Sequence, residues 1–462
     1  MVRFRWIFWF GLILISACTK SSEKPDSLPQ DEFIQVYFNH RVSNAQPYTE
    51  PYRQIERSGD NLEAIIIREI TSAQQTIDLA VQELNLPLVA QALVKSHRSG
   101  VKVRVILDNN YSQSLSTFSP QKIKQLNQRD RQKYQQFVQL VDLNQDRKLD
   151  QAEIAQRDAL FIINQAGIPL IDDTADGSQG SGLMHHKFMV IDGQVVITGS
   201  ANFTVSGIYG DLDNLTTRGN VNHLLRVQNS ELANLFTEEF NYMWGDTTAG
   251  GANSKFGLNK PWRSPKSIAW KDTQITLQFA PTSSKQDWQV STNGLIAKTI
   301  NQASESINLA LFVFSEQKIV NVLQQKQRQG VEIQGVFDPG FAYRYYSEVL
   351  DMLGITLKRN CQAESANNPW TDPLSTIGIA QVPPGDKLHH KFTIIDHKLV
   401  ISGSQNWSQA ANKSNDEALI IISNFKIAQH FIQEFNRLYT AASFGLSPQL
   451  KSKQAQQSEQ CK

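Results

Sequence analysis

The chain has 462 residues, with 45 Lys and Arg against 44 Asp and Glu, and 40% of its residues are hydrophobic. That length suits two or three globular domains. The near-neutral balance excludes a protein held to nucleic acid or an acidic surface by bulk charge, leaving room only for a local basic groove.

The N-terminus opens with Arg3 and Arg5, an apolar run over residues 6–14, and the small residues Ser16-Ala17 before Cys18. A charged n-region, a short apolar h-region and small residues form a secretory signal, which we place at 1–17. The pattern resembles a bacterial lipobox. That resemblance implies lipidation of Cys18, export to the cell envelope, and a membrane anchor facing periplasm or exterior. The apolar run is short for a spanning helix. Residues 18–32, rich in Ser, Pro and charge, read as a flexible tether. Residues 447–462 read as a loose tail. Cys361 and Cys461 then remain, either as one disulfide or as two free thiols.

Residues 66–108 and 296–338 align without a gap. Each contains a helix, a buried strand (IDLAV, INLALFVF), an amphipathic helix, a glycine (Gly100, Gly330) and a second strand ending at Asp108 or Asp338. Alternating helical and strand periods indicate α/β layers. A third strand is expected after Gly167 (IPLI) and after Gly354 (ITLK). The repeat covers most of the chain and gives two homologous domains, 33–246 and 269–446, joined by a Gly-, Ser- and Pro-rich linker at 247–268. An insert near 120–163 lengthens the first domain.

Four of the nine histidines lie in one string written twice: HHKFMVIDGQVVITGSANFT from residue 185 and HHKFTIIDHKLVISGSQNWS from residue 389. His185 and Lys187 share a strand face, as do His389 and Lys391. Asp192-Gly193 signals a hairpin, which returns Ser200 and Asn202, and likewise Ser404 and Asn406, toward the His and Lys. One imidazole, one ammonium, one hydroxyl and one amide per half suit a phosphoryl group. Adjacent histidines on a strand face opposite ways and the lysine repels a cation, which argues against a metal here. His186 and His390 are expected to pack behind the site, and Asp192 and Asp396 to serve the turns.

H-x-K-x4-D followed by GSxN, twice in one chain, resembles the phospholipase D superfamily. The resemblance implies two α/β sandwich domains, each a mixed sheet flanked by helices, forming a pseudo-twofold bilobal monomer with no obligate oligomer. It also implies a phosphodiesterase working through a covalent phosphohistidine, with no cofactor for catalysis. In that family an acidic residue downstream of the motif orients each imidazole. Glu417 fits in the second half and is expected on His389. For His185 the alternatives are Asn222, at the aligned position, and Asp213. On this reading His185 attacks and His389 donates the proton.

Within the insert, Asp142, Asn144, Asp146, Lys148 (through its carbonyl), Asp150 and Glu153 occupy the ligand positions of an EF-hand-like calcium loop. Arg147 stands where such loops usually have glycine. A lipid anchor and calcium favour phospholipid as substrate, making the protein a phospholipase D-like hydrolase. A secreted nuclease is the alternative, supported by the basic run KIKQLNQRDRQK. A phosphatidyl transferase and a calcium-dependent binding module are less favoured.

Overall fold

The structure, a computed structural model, describes residues 25–461. The leader and the lipidation position Cys18 lie outside the described residues.

Each half is built on one mixed sheet. In the first, the strands run in the order Ile34–Phe38, His223–Gln228, Val195–Gly199, Lys187–Ile191, Thr76–Val81, Lys102–Leu107, Leu170–Asp172. The last three are mutually parallel and the others antiparallel. The second sheet repeats this core as Thr273–Ala280, Glu417–Ser423, Leu399–Gly403, Lys391–Ile395, Ser306–Leu311, Glu332–Phe337, Ile377–Ile379, with the short edge strands Lys266–Trp270 and Ser443–Phe444 added. The motif strands Lys187–Ile191 and Lys391–Ile395 are buried along their whole length. Strands covered on both faces read as continuous apolar runs rather than alternating ones.

Helices Leu62–Ser72 and Pro87–Arg98 cover the outer face of the first sheet, and Thr292–Ile300 and Gln317–Arg328 that of the second. Pro87 opens its helix at a position where no amide hydrogen is needed. A third apolar cluster lies between the sheets and draws on both halves. Phe236, Phe240 and Trp244 of helix Ser230–Trp244 belong to it, as do Phe431 and Phe435 of helix Phe425–Ala441. This shared core fixes how the halves face each other.

Four expectations are corrected. ITLK at 355–358 is not a strand; the third parallel strand of the second half is Ile377–Ile379. The tail is not loose, for Pro448–Gln460 is a helix, and the Cys361–Cys461 disulfide ties its end to the body with a Cα–Cα distance of 5.3 Å. Residues 25–32 are not a free tether, since Gln30 pairs with Val36 through both side-chain ends and the Pro29 carbonyl meets His430. The linker contains buried residues, Lys260 among them, and its end already forms the strand Lys266–Trp270.

Candidate active site at the interface of the halves

Each motif strand is fixed at both ends by a carboxylate. At the turn, Asp192 and Asp396 adopt φ of 51° and 48°. Asp192 accepts the amides of Gln74, Gln75 and Thr76 at 2.7–2.8 Å, and Asp396 those of Ser304, Glu305 and Ser306 at 2.8–3.2 Å. Both lie at the end of the strand away from the histidines and are structural, as the sequence reading had them. At the histidine end, Asp108 accepts the Met184 amide and Asp338 the Leu388 amide, each at 3.0 Å. The repeat displayed these two strand-end aspartates, but their role in holding the residue before each HHK string was missed. Gly199 and Gly403 are required where they stand, because a Cβ at either would run into the carbonyl of His223 or Ala418 on the neighbouring strand.

The backbone then crosses between halves. The His185 amide donates to the Asp416 carbonyl (3.0 Å) and the Asp416 amide to the Leu183 carbonyl (2.9 Å). Symmetrically, the His389 amide donates to Val221 (3.0 Å) and the Val221 amide to Lys387 (2.8 Å). Each histidine is therefore seated beside the partner half's downstream strand, and it takes its orienting group from there. His185 Nδ1 lies 2.7 Å from Glu417 Oε2, and His389 Nδ1 lies 2.9 Å from Asn222 Oδ1. The expected pairing of Glu417 with His389 is thus reversed. Asn222 serves the other histidine, and Asp213 instead meets Gln136 of the insert at 3.4 Å.

The remaining motif residues form a shell around this pair. Lys187 Nζ donates to the His185 carbonyl and Lys391 Nζ to the His389 carbonyl, both at 2.8 Å. Ser200 Oγ donates to Asn222 Oδ1 (2.8 Å), and Ser404 bonds the Glu417 carboxylate. The two serines therefore hold the orienting groups rather than reaching into the cleft as expected. Asn202 donates to Gln82 at 3.3 Å. The side-chain oxygens of Asn202 and Asn406 are buried without a partner.

Two buried lysines face each other across the site. Burial lowers Lys187 to about 7, against the pull of Glu417 and Asp108. Burial and then the facing Lys187 hold Lys391 well below its ordinary value. Burial, with both lysines, also keeps His185 and His389 well below 6.5. Burial raises Glu417 to about 7, with Lys187 opposing. Each lysine acts on the other half's histidine, so the two motifs converge on one cleft whose charges an anion would relieve.

His186 and His390 point behind the site, onto Glu239 (2.8 Å) and Glu434 (3.1 Å). Burial pushes Glu239 up, but Lys260, Arg263 and His186 outweigh it and hold the carboxyl well below its usual range. The asymmetry extends to the cleft walls. Phe312 lies against His389 with ring centroids 4.8 Å apart and against Phe341 at 4.6 Å, where the first half has Gln82 and Tyr111.

The insert loop follows helix Gln128–Val141 and leads into helix Gln151–Arg157. Arg147 takes φ of 65°, the left-handed conformation that glycine supplies in such loops. Asp142, Asn144 and Asp146 accept loop amides, while both Glu153 oxygens take the amides of Leu143, Asn144 and Asp150. Among the described residues no three His, Cys, Asp or Glu side chains are gathered to hold a metal. The loop backbone suits an ion; its carboxylates, as placed, do not converge on one.

The family model described as "Cardiolipin synthase, PLD-like domain" matches residues 66–244 and 296–439. The chain is 24% identical over 212 residues to a mitochondrial cardiolipin hydrolase of Xenopus laevis, covering 45% of this chain and 75% of that protein. It is 28% identical over 178 residues to a phospholipase D of Rickettsia typhi, covering 37% of this chain and 76% of that one. A phosphatidylserine synthase structure from Haemophilus influenzae shares the fold over 91% of this chain and 89% of its own, with a TM-score of 0.54 and 11% identity.

Proposed function

Because the chain belongs to the phospholipase D-like family, we propose that it hydrolyses phosphodiester bonds of phospholipids through a phosphohistidine at His185. The observation that carries this reading is the crossed pairing of two facing imidazoles, one on a carboxylate and one on an amide. Glu417 Oε2 accepts a hydrogen bond from His185 Nδ1–H, which leaves Nε2 with its lone pair free to attack. His185 Nε2 attacks phosphorus, and the bond to the leaving alcohol breaks as His389 Nε2 gives that oxygen a proton. The phosphorylated ring is cationic, and the Glu417 carboxylate stabilises it. His389 then takes a proton from water, which attacks phosphorus and releases His185. A neutral amide supports an imidazolium less than a carboxylate does, which makes His389 the readier proton donor once substrate charge has offset the lysines. Lys187, Lys391, Asn202 and Asn406 supply the donors around the phosphoryl oxygens. No step requires a metal, and one chain supplies both motifs.

Phospholipid is favoured by the names of the two relatives and by the proposed lipid anchor at Cys18. Among the described residues no helix is long and apolar enough to cross a membrane; the proposed envelope attachment is through Cys18. Cys18→Ser should release the protein from the membrane fraction or leave it unprocessed. A nucleic-acid substrate has one specific observation behind it: Lys133 of the basic insert lies 3.6 Å from Glu83, beside Gln82 at the cleft. Offering the purified protein phosphatidylcholine, phosphatidylglycerol and plasmid DNA side by side, with calcium and with chelator, decides between them. Lipid turnover is expected; cleavage of DNA alone would replace this reading.

Calcium at residues 142–153 belongs to the same proposal as a ligand outside the chemistry. Binding requires Glu153 to leave the amides it now caps and join Asp142, Asn144, Asp146, the Lys148 carbonyl and Asp150. Calorimetry should show one ion bound, lost on Asp142→Ala with Glu153→Ala. No heat of binding to the native protein would remove calcium from the account.

A further inference from the structure

We propose that Lys260, in the segment joining the two halves, is a positioning residue for the nucleophile: it grips Asp416 and Glu239 together and so holds Glu417 against His185. The proposal rests on the reading above that His185 attacks.

Lys260 has 2% side-chain exposure, and its ammonium reaches two carboxylates from different halves. Asp416 Oδ1 lies 2.6 Å away and also accepts the Gly257 amide at 2.9 Å. Glu239 takes the other side of the ammonium, and its same oxygen accepts from His186 Nε2 at 2.8 Å. Asp416 immediately precedes Glu417, and its carbonyl receives the His185 amide. His186 immediately follows His185. One ammonium thus bears on the neighbours of both members of the His185–Glu417 pair. Arg263 of the same segment binds the second Glu239 oxygen, so two cations face two carboxylates and the cluster is balanced.

Among the described residues the other half has no such clamp. The residue equivalent to Asp416 is Val221, which makes the same backbone bridges and is buried, but offers no charge to hold. Behind His390, Glu434 is met by Arg437, three residues along its own helix, and not by the linker. The linker therefore rigidifies one histidine of the two. Removing the ammonium would leave Asp416 and Glu239 buried without their shared cation. The backbone at 416 would relax and carry Glu417 off the His185 ring.

A p-nitrophenyl phosphodiester tests this directly. Its leaving group needs no acid, so the burst of nitrophenol reports attack by His185 alone. Lys260→Met should slow the burst on the order of 10²-fold, the cost of misplacing a reacting group by about 1 Å. The dissociation constant of the diester, read from how the burst rate depends on substrate concentration, should stay unchanged, because Lys260 touches no substrate. Lys260→Arg, which can bridge both carboxylates, should restore the burst to within a few-fold of wild type. The hydrogen-bonded Nδ1 proton of His185, followed by NMR without substrate, should be lost in the Met variant and kept in the Arg variant. Should Lys260→Met not fold, Lys260→Met with Asp416→Asn removes the cation and one anion together, leaving Glu239 on Arg263; the same loss of burst is expected. A wild-type burst rate and Nδ1 signal in any folded variant without the ammonium overturns the clamp. A wild-type protein with no burst would instead refute covalent attack, and the Nδ1 signal would still decide the clamp.

Discussion

The two halves carry the same string and nearly the same sheet, yet they hold their imidazoles differently. His185 rests on Glu417, and His389 rests on Asn222. The first cleft wall is polar, with Gln82 bonded to Asn202, while the second is aromatic, with Phe312 and Phe341 beside His389. None of these differences lies within the histidine–lysine motif. They lie in residues that face it, and the orienting groups come from the opposite half. A duplicated motif can thus give two chemically distinct histidines through changes at positions that the motif does not include.

Removing each imidazole breaks the comparison most sharply. On the proposed mechanism His185→Ala removes the nucleophile and should lower turnover by ~10⁴-fold or more on any diester. His389→Ala should cost ~10²–10⁴-fold on an alkyl diester, which needs its leaving oxygen protonated. On a p-nitrophenyl diester the same variant should keep its burst. Equal losses on both substrates would mean that the two roles are shared or reversed.

Exchanging the orienting groups is the next test. Glu417→Gln should slow the burst by ~10²-fold, because the phosphorylated ring loses its counter-charge. Its stability should move the other way. Burial raises the Glu417 carboxyl from 4.5 to about 7, with Lys187 opposing. A raised folded-state value stabilises below about pH 4.5, and that contribution is lost as pH rises through about 7. The buried anion is therefore a liability at alkaline pH. Melting at pH 8.5 should show the Gln variant higher by on the order of 2–4 °C, with the gap closing toward pH 5. A variant that melts lower at both pH values would show that the carboxylate holds the halves together. Asn222→Asp is the converse change. It should raise the His389 pKa and move the upper limb of the alkyl-diester pH profile upward by about one unit.

The repeat, the two motif strands and their hairpins were legible because each is written locally, in periodicity and in a turn signal. Asp192 and Asp396 could be set aside as turn residues for the same reason. The crossed pairing was not legible. A sequence aligns Glu417 with its own half, and only the shared core around Phe236 and Phe431 turns it toward the other. Lys260 was hidden by composition, since a buried ammonium inside a Gly-, Ser- and Pro-rich stretch looks like any linker lysine. The tail failed for a related reason: its composition is polar throughout, and what pins it is a disulfide to a residue 100 positions away. ITLK had the right pattern for a strand, but the position beside Glu332–Phe337 is taken by Ile377–Ile379. Periodicity identifies a segment able to pair; it does not say which of two such segments joins the sheet.

The smallest expected effect concerns the walls. Phe312 stands where the first half has Gln82, with its ring 4.8 Å from His389 and the Lys391 ammonium 5.0 Å from its centroid. An aromatic face at that distance is worth about 0.5–1 kcal/mol to a cation and a similar amount to a packed ring. Phe312→Gln makes the second wall resemble the first. On the proposed mechanism the leaving alcohol departs toward His389, which makes its carbon atoms the part of the substrate nearest this ring. The variant should therefore raise KM by about two- to tenfold for diesters with a bulky apolar leaving group, with kcat nearly constant. Diesters with a small polar leaving group should show little change. The reciprocal Gln82→Phe should leave the leaving-group preference as it was, since it alters the wall on the side of attack. A preference that follows Gln82 instead of Phe312 would place the leaving group beside His185 and exchange the roles of the two halves.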